Sequence, residues 1–525
     1  MQLLFRSLKT LAILVLASAV VPESFAQEEE LPAFATWRFE TTEGTEPAGV
    51  YRLSFSPDGR LVATRDRRNM VAVFDLSAQK KLCEVESHEA WVTCVTFSPD
   101  SRFFLCCARG PGAGVRAYST ANGQLEVEFG EDVLQTSFSS DGTHVYCLSE
   151  QEVETRAWPS GELVTKQAWQ SDRETRLGMT SDGSSVVRVS GVRSDRQVEM
   201  SLNNLAERSI VNLGSSERVP KAAVISENRL WLAMAFHRDE VFSIWDLRDP
   251  HNSRVNLRRH ESTVQSVCFS DDSRFLLSTG WDNNAVLWDV LTGEELKLLE
   301  GHTEHVNACA FSTINMLLAT GASGRSDNSV IVRDLNKILF PDETLPAEFS
   351  SFEFAWQELG SEFPQPALRA VDAIVSNGDV WVEKVAAQMN DYLVEASHDE
   401  IARLIELLDS PVYRDRETAT NKLMEMRAAA EDQLRAAASV AETTEARVRI
   451  QFVLRHPPTR PQMEPRLERR MHRSVFALEL AATESAAALL EKISLGHPSV
   501  DIARDAADSL KRLQLRRQLA EQPAP

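Results

Sequence analysis

Apolar and polar residues alternate along short segments in the first two thirds of the chain. Each segment has an apolar run, a Ser or Thr, a turn and a second apolar run, as in LSFSPDGRLVAT and VCFSDDSRFLLS. Alternation with a period of two predicts β-strands with one buried face, and Pro-Asp-Gly or Ser-Asp-Gly predicts the turn. The pattern occurs seven times, beginning at Leu53, Val95, Thr136, Leu177, Ala223, Val267 and Cys309.

These copies follow one another at intervals of roughly 41–46 residues, the length of one four-stranded propeller blade. A third strand ends at Phe74-Asp75, Trp245-Asp246, Trp288-Asp289 or Arg333-Asp334, and a polar turn leads to a fourth strand. With Gly301-His302 and the tripeptide LWD at 287–289, this region resembles the WD40 repeat proteins. The resemblance implies a seven-bladed β-propeller over residues 27–340. The segment 34–40 is then expected to complete the seventh blade as its outer strand and so close the ring.

The same resemblance implies a structural role for four polar residues of one repeat. In WD40 repeats a His, a Ser or Thr, an Asp and a Trp form a hydrogen-bonded tetrad, and the matching positions here are His260, Ser278, Asp282 and Trp288. A buried indole N–H needs a partner of this kind. The alternative, a catalytic Ser-His-Asp triad, requires an exposed Ser and an oxyanion hole, so we predict no catalytic residues.

Basic and aromatic residues fall in the predicted turns between second and third strands and in the connections between blades. We predict that these turns share one face of the propeller and that the face binds a protein partner, because Trp and Arg are enriched at interaction hot spots. The alternative is a set of solvated loop charges. The candidate residues are Arg65, Arg67, Arg68, Trp91, Arg238, Trp281 and Arg325.

After residue 340 the strand pattern ends, and a segment rich in Pro, Glu, Phe and Ser (341–365) is predicted to be a linker that docks in places. Helical spacing follows over 366–520. Ser397 and Glu400 form a capping box, and apolar residues then recur at Ile401, Leu404, Ile405 and Leu408. The helix pairs resemble HEAT-like repeats, and the whole layout resembles secreted bacterial WD40 proteins. An ordinary helical bundle is the alternative. The basic cluster at 466–473 is predicted to be the solvated face of a helix.

Residues 1–26 carry the signs of a secretory signal peptide. Arg6 and Lys9 precede the apolar run LAILVLASAVV (11–21), and small residues, Ser24 and Ala26, stand before Gln27. We therefore expect an exported chain, periplasmic or secreted, and no stable membrane insertion of the mature protein.

The net charge of −21 argues against nucleic acid as a partner. No Cys/His cluster predicts a metal site, and no motif predicts a cofactor. Seven cysteines, an odd number without C-x-x-C spacing, read mainly as buried apolar residues, with one candidate disulfide between Cys94 and Cys106. The sequence therefore predicts a protein–protein interaction scaffold. The alternatives are an enzyme using the propeller channel, and a small-ligand or glycan sensor that stacks its ligand on Trp91 and Trp281.

Overall fold

The computed structural model describes residues 35–40, 49–110, 113–139, 141–149, 152–168, 178–180, 185–190, 198–204, 209–216, 220–249, 253–324, 326–341, 345–393, 397–441, 443–455 and 463–521. The predicted signal peptide (1–26) and Arg325 lie outside this part of the chain.

The predicted seven-bladed propeller is confirmed: seven antiparallel sheets of four strands each contain consecutive strands of the chain. Blade 1 has β2 (Val50–Phe55), β3 (Leu61–Asp66), β4 (Met70–Asp75) and β5 (Lys80–Glu86). Blade 2 has β6 (Trp91–Phe97), β7 (Phe103–Arg109), β8 (Val115–Ser119) and β9 (Leu125–Phe129). Blade 3 has β10 (Gln135–Phe138), β11 (His144–Leu148), β12 (Glu152–Ala157) and β13 (Leu163–Ala168).

Blade 4 has β14 (Gly178–Met179), β15 (Ser185–Ser190), β16 (Val198–Asn204) and β17 (Ser209–Ser216). Blade 5 has β18 (Pro220–Ile225), β19 (Trp231–Phe236), β20 (Val241–Asp246) and β21 (Val255–Arg258). Blade 6 has β22 (Val264–Phe269), β23 (Phe275–Gly280), β24 (Ala285–Asp289) and β25 (Glu295–Leu299). Blade 7 has β26 (Val306–Ser312), β27 (Leu317–Ala322), β28 (Ser329–Asp334) and the N-terminal strand β1 (Ala35–Glu40).

The ring closes in the way the sequence predicts. β1 pairs antiparallel with β28, with Arg38 opposite Ile331 and Glu40 opposite Ser329. The first strands of successive blades contact one another around the ring, and β26 contacts β2. These first strands are therefore the innermost ones and surround the central channel. Pairing β1 with β28 joins the two ends of the propeller within one sheet, which removes an open edge.

A helical region follows the propeller. Its helices are α1 (Leu335–Leu339), α2 (Phe352–Glu358), α3 (Pro364–Met389), α4 (His398–Leu407), α5 (Tyr413–Glu425), α6 (Arg427–Val440), α7 (Thr444–Arg455), α8 (Pro465–Ala481), α9 (Glu484–Gly496) and α10 (Val500–Glu521). The backbone leaves helical geometry inside α3 at Gly378, where φ is 54°, so α3 consists of two helical segments. Ser397 caps α4 by accepting from the backbone N–H of Glu400, as the capping box predicts.

The helical region and the propeller share one hydrophobic core. A single cluster joins Phe275 and Leu318, from blades 6 and 7, to Trp356, Val475 and Phe476 of the helices. The rings of Phe275 and Phe476 meet edge to face with centroids 5.7 Å apart. Part of the segment predicted as a linker belongs to this core, because α2 buries residues such as Ala355 and Trp356. The helices α4–α7 surround a second, separate cluster.

Candidate functional site

The four residues of the expected tetrad lie together in blade 6. The indole N–H of Trp288 donates to Ser278 Oγ at 2.9 Å. The Ser278 hydroxyl is 2.8 Å from His260 Nε2, and His260 Nδ1 is 2.9 Å from Asp282 Oδ2. One direction of donation, from Trp through Ser and His to Asp, satisfies every group. Ser278 is completely buried, so no substrate reaches its hydroxyl, and the geometry matches a structural network rather than a catalytic triad.

Blade 7 builds a related network with a different donor. His302 Nδ1 is 3.0 Å from Asp327 Oδ2, and its Nε2 is 2.9 Å from Thr320 Oγ1. Where blade 6 has Trp288, blade 7 has Arg333, whose Nη1 donates to Thr320 Oγ1 at 2.7 Å. The guanidinium is almost fully buried. Burying a polar group is costly unless it is hydrogen-bonded, so this network ties the blade together.

The two faces of the propeller have different roles. We call the lower face the end formed by the turns between first and second strands and between third and fourth strands. The upper face is formed by the turns between second and third strands and by the connections between blades. Trp281 lies in the turn between the second and third strands of blade 6. Its backbone N–H donates to the carbonyl of Thr263, in the connection between blades 5 and 6, at 3.0 Å. Asn69 similarly donates to Ala90 O at 3.0 Å.

The helical region covers the lower face of blades 5, 6 and 7. Arg473 of α8 donates to Asp289, the Asp of the Trp-Asp pair, at 2.9 Å, and it also bonds the carbonyls of Leu359 and Ser361. In blade 5, Arg248 donates to Asp246, the Asp of that blade's Trp-Asp pair, and also to Glu468 of α8. The repeat positions at the ends of third strands therefore serve as anchors for the helices.

A second ion-pair cluster lies on the same face around Glu479 of α8. Arg274, from the first turn of blade 6, bonds Glu479 at 2.7 Å and Asp505 at 2.7 Å. Arg512 and Arg516 also bond Glu479, and Arg516 reaches the carbonyl of Thr313 in blade 7. Burial alone would raise the pKa of Glu479, but the guanidinium groups of Arg512 and Arg274 hold that pKa well below its usual range.

The prediction of a solvated face for the basic cluster 466–473 holds for Arg466, which is exposed, but is wrong for the end of the cluster. Met471, His472 and Arg473 are buried in the junction. His472 Nδ1 is 3.0 Å from Asp505 of α10, and Arg473 donates to Asp289 of the lower face. The polar end of the cluster is therefore buried because its side chains have hydrogen-bond partners there.

A small cleft of about 40 Å³ lies at this junction, between blades 5 and 6 and the helices. Apolar walls from Trp231, Phe275 and Phe476 enclose polar groups of Arg248 and Arg274. Both guanidinium groups are already paired with carboxylates. The cleft is thus part of the domain contact.

The upper face carries the residues that the sequence singled out as an interaction surface. Arg67 and Arg68 are exposed in the turn of blade 1, and Arg238 is exposed in the turn of blade 5. Arg68 pairs with Asp66 at 3.1 Å. Trp281 is 43% exposed, stacks on His305 at 5.2 Å between centroids, and lies 5.6 Å from Lys221 Nζ.

Trp91 is also exposed on this face, but it belongs to a different neighbourhood. Its ring contacts Tyr51 of blade 1 at 6.1 Å and lies over the guanidinium of Arg65 at 4.3 Å. Trp281 instead contacts residues of blade 5 and of the connection to blade 7. The two rings therefore do not form one stacking platform within the described part of the chain.

Arg65 departs from the prediction of an exposed interface residue, because only 1% of it is exposed. It stands near the end of β3, at the position that Thr279 has in blade 6 and Gly321 has in blade 7. Thr279 is completely buried, and a Cβ at Gly321 would lie 2.5 Å from Val50 Cγ1. In blade 1 the corresponding space is filled by the Arg65 side chain, under the Trp91 ring. Comparing the repeats by position would have revealed this burial.

The cysteine pairing predicted from the sequence is also wrong in its partner. Cys94 lies opposite Cys107, and Cys106 lies opposite Val95. Beside the turn Phe97 pairs with Phe104, and the same register along both strands brings Cys94 opposite Cys107. The sulfur atoms of Cys94 and Cys107 are in contact, and both cysteines are free thiols.

Among the residues that the structure describes, no three His, Cys, Asp or Glu side chains converge in a way that would hold a metal ion. In the same part of the chain, no helix of sufficient length is apolar enough to cross a bilayer.

Three segments match the family model described as WD domain, G-beta repeat: residues 79–110, 252–289 and 293–334. The propeller carries WD40 repeats. The chain is 25% identical over 290 residues to the WD repeat-containing protein WDS homolog of Arabidopsis thaliana, covering 52% of this chain and 53% of the relative. It is 23% identical over 296 residues to the WD repeat-containing protein 26 homolog of Drosophila melanogaster, covering 52% and 44%.

A further match is the apoptotic protease-activating factor 1 of Danio rerio, 23% identical over 271 residues, covering 51% of this chain and 21% of the relative. The chain thus spans about half the length of the first two relatives and less of the third.

Proposed function

We propose that this protein is a scaffold that binds another protein on the upper face of its propeller. One observation carries the proposal: the helices occupy the lower face of blades 5–7, while the upper face presents Arg67, Arg238 and Trp281 to solvent. Exposed Trp and Arg side chains on a rigid frame are typical of interaction hot spots. The helical region, which we take as HEAT-like, would add a second surface through α4–α7.

The test is site-specific photocrosslinking in an extract of the cells that make the protein. A photoreactive residue replaces Arg67 or Arg238 on the upper face, and Leu163 on the outer strand β13 serves as the control position. We expect one protein to crosslink from both upper-face positions and not from Leu163, and Trp281→Ala to reduce its yield. Equal crosslinking from Leu163, or no specific product from the upper face, would refute the proposal.

We further propose that the scaffold works outside the cytoplasm, as in the secreted bacterial proteins whose layout it resembles. Support comes from the charged and apolar pattern of residues 1–26 and the small residues before Gln27. The relatives named above come from a plant and two animals, so the bacterial assignment depends on the layout alone. Mass spectrometry of the protein from fractionated cells tests export: an N-terminus at or near Gln27 supports it, and an intact Met1 in the cytoplasmic fraction contradicts it.

A further inference from the structure

Two arginines lie directly opposite each other at the inner edge of blade 1. Arg52 of β2, an innermost strand, pairs in register with Arg65 of β3. Like charges at directly opposed positions of a sheet repel each other. Burial, together with the charge of Arg52, lowers the pKa of Arg65 to about 9.

Neither guanidinium has a carboxylate partner in the described part of the chain. Arg65 donates only from Nη1, to the carbonyl of Asp66, and its Nε and Nη2 are buried without any hydrogen bond. The carboxylate of Asp66 instead accepts from Arg68 and from the backbone of Met70. In a chain with 77 acidic residues, it is unexpected that two adjacent arginines bind no carboxylate of the described residues and that only the charge of nearby Asp66 favours the charged form of Arg65.

Arg52 is the member of the pair that a ligand can reach. Its side chain is exposed, although protein surrounds it, as expected for a residue in the wall of the channel. Nε donates to the carbonyl of Thr93 in the next innermost strand, and Nη1 donates to Tyr51 O. Nη2 donates to no described residue. Tyr51 and the exposed ring of Trp91 lie against Arg65, the residue opposite Arg52, and would pack against a bound chain.

We propose that the upper mouth of the channel at blades 1 and 2 is a binding site for a carboxylate presented by the protein partner. Arg52 contacts the carboxylate directly, and Arg65 supplies a second positive charge behind it. A carboxylate would remove the repulsion between the two arginines, and guanidinium–carboxylate hydrogen bonds are among the strong ones. This inference rests on the proposed function and names the chemistry of the partner.

The experiment measures fluorescence anisotropy of a fluorescein-labelled hexaglutamate peptide with the full-length protein, using a hexaglutamine peptide as the neutral probe. We expect hexaglutamate alone to bind, despite the net charge of −21. Arg52→Gln should weaken binding about tenfold or more, as expected for loss of a charged hydrogen bond. Arg102→Gln is the matched control, because it removes one exposed arginine from the lower-face turn between β6 and β7, away from the mouth of the channel, and it should change binding less than threefold.

Three outcomes would overturn the inference. The first is no binding of hexaglutamate to the wild type, or equal binding to Arg52→Gln. The second is competition by inorganic phosphate at concentrations where acetate has no effect, which would assign the site to phosphate. The third is probe binding that appears only after Glu43→Gln and Glu46→Gln, which would assign the arginines to carboxylates that precede β2 in this chain. Because the peptide assay needs no natural partner, it decides this site whether or not the photocrosslinking succeeds.

Discussion

The guanidinium of Arg473 lies 2.9 Å from the carboxylate of Asp289, and 184 residues separate the two in the sequence. Both side chains are almost fully buried. The Asp of a Trp-Asp pair, a repeat position, is here the point where the helical region attaches to the propeller. The same helix contributes Phe476, which packs on Phe275 of blade 6. Apolar burial and a buried ion pair therefore act together to fix the helices on the lower face.

We expect Arg473→Met to destabilise the protein by roughly 3–5 kcal/mol, because the substitution leaves the Asp289 carboxylate buried without its partner. Urea unfolding followed by circular dichroism measures the change. Arg259→Met is the matched control, since Arg259 pairs with Glu295 of the same blade at 2.7 Å but at the surface. Exposed pairs contribute roughly 0–1 kcal/mol. Equal losses in the two variants would show that the Arg473 pair does not hold the junction.

Replacing the two tryptophans of the segment STGWDNNAVLWD (residues 278–289) should change the free energy of unfolding to very different extents. Trp288 is 4% exposed, donates to Ser278 and meets Phe242 edge to face at 5.5 Å. Trp288→Ala should cost roughly 3–5 kcal/mol, as for other buried aromatic truncations. Trp281→Ala should change the free energy of unfolding by no more than roughly 1 kcal/mol, because its ring is largely at the surface. A loss below 1 kcal/mol for Trp288→Ala would contradict its role in the tetrad.

As the pH is lowered, we expect histidines that are buried in the neutral form to destabilise the protein at pH values above those at which carboxylates titrate. Burial, with the charge of His472, lowers the pKa of His497 to about 4. An unfolded His titrates near 6.5, so the unfolded state binds a proton first, and stability falls as the pH drops from about 6.5 to 4. At 1.36 kcal/mol per pKa unit, His497 accounts for about 3 kcal/mol of this loss.

Urea unfolding at several pH values tests this sign. In the wild type the backbone N–H of Ser499 donates to His497 Nδ1 at 3.1 Å. His497→Asn keeps an acceptor for this N–H, and it should reduce the dependence of the free energy of unfolding on pH between pH 6.5 and 4.5. His398, exposed at the start of α4, is the control. His398→Asn should leave the slope as in the wild type. An unchanged slope in His497→Asn would mean that His497 is not buried in its neutral form.

The sequence predicted most of the architecture, because its signals there are local. Strand alternation, turn residues and helix caps such as Ser397 each depend on a few neighbouring positions, and the structure has the corresponding elements. The burial of Arg473 and Arg65 was not predicted. For Arg473 the reason is a partner far away in sequence, whose carboxylate compensates a charge that would otherwise stay in water. For Arg65 the signal was present, since blade 6 has Thr279 and blade 7 has Gly321 at the matching position, but only the charge of Arg65 was considered.

Removing residues up to 41 should open the ring, since β1 then no longer covers β28. The exposed edge of blade 7 would offer unpaired backbone groups to other chains. We expect faster cleavage by trypsin near β28 and concentration-dependent association in size-exclusion chromatography. Removing only residues 1–26 is the control and should leave both properties unchanged. A truncated protein that stays monomeric and equally resistant to trypsin would show that the ring closes without β1.

The candidate disulfide can be tested by identifying which cysteine forms the cross-link with Cys94. The hydrogen bond with Cys107 lowers the pKa of Cys94 to about 7, whereas burial raises the pKa of Cys106 to about 12. Thiolates are the reactive form of cysteine, so treatment with glutathione disulfide should oxidise Cys94 with Cys107 and leave Cys106 reduced. Mass spectrometry after alkylation reads the pairing. Cys107→Ser should abolish the cross-link, and Cys106→Ser should preserve it. Loss of the cross-link in Cys106→Ser alone would show that the strands pair in the register first predicted from the sequence.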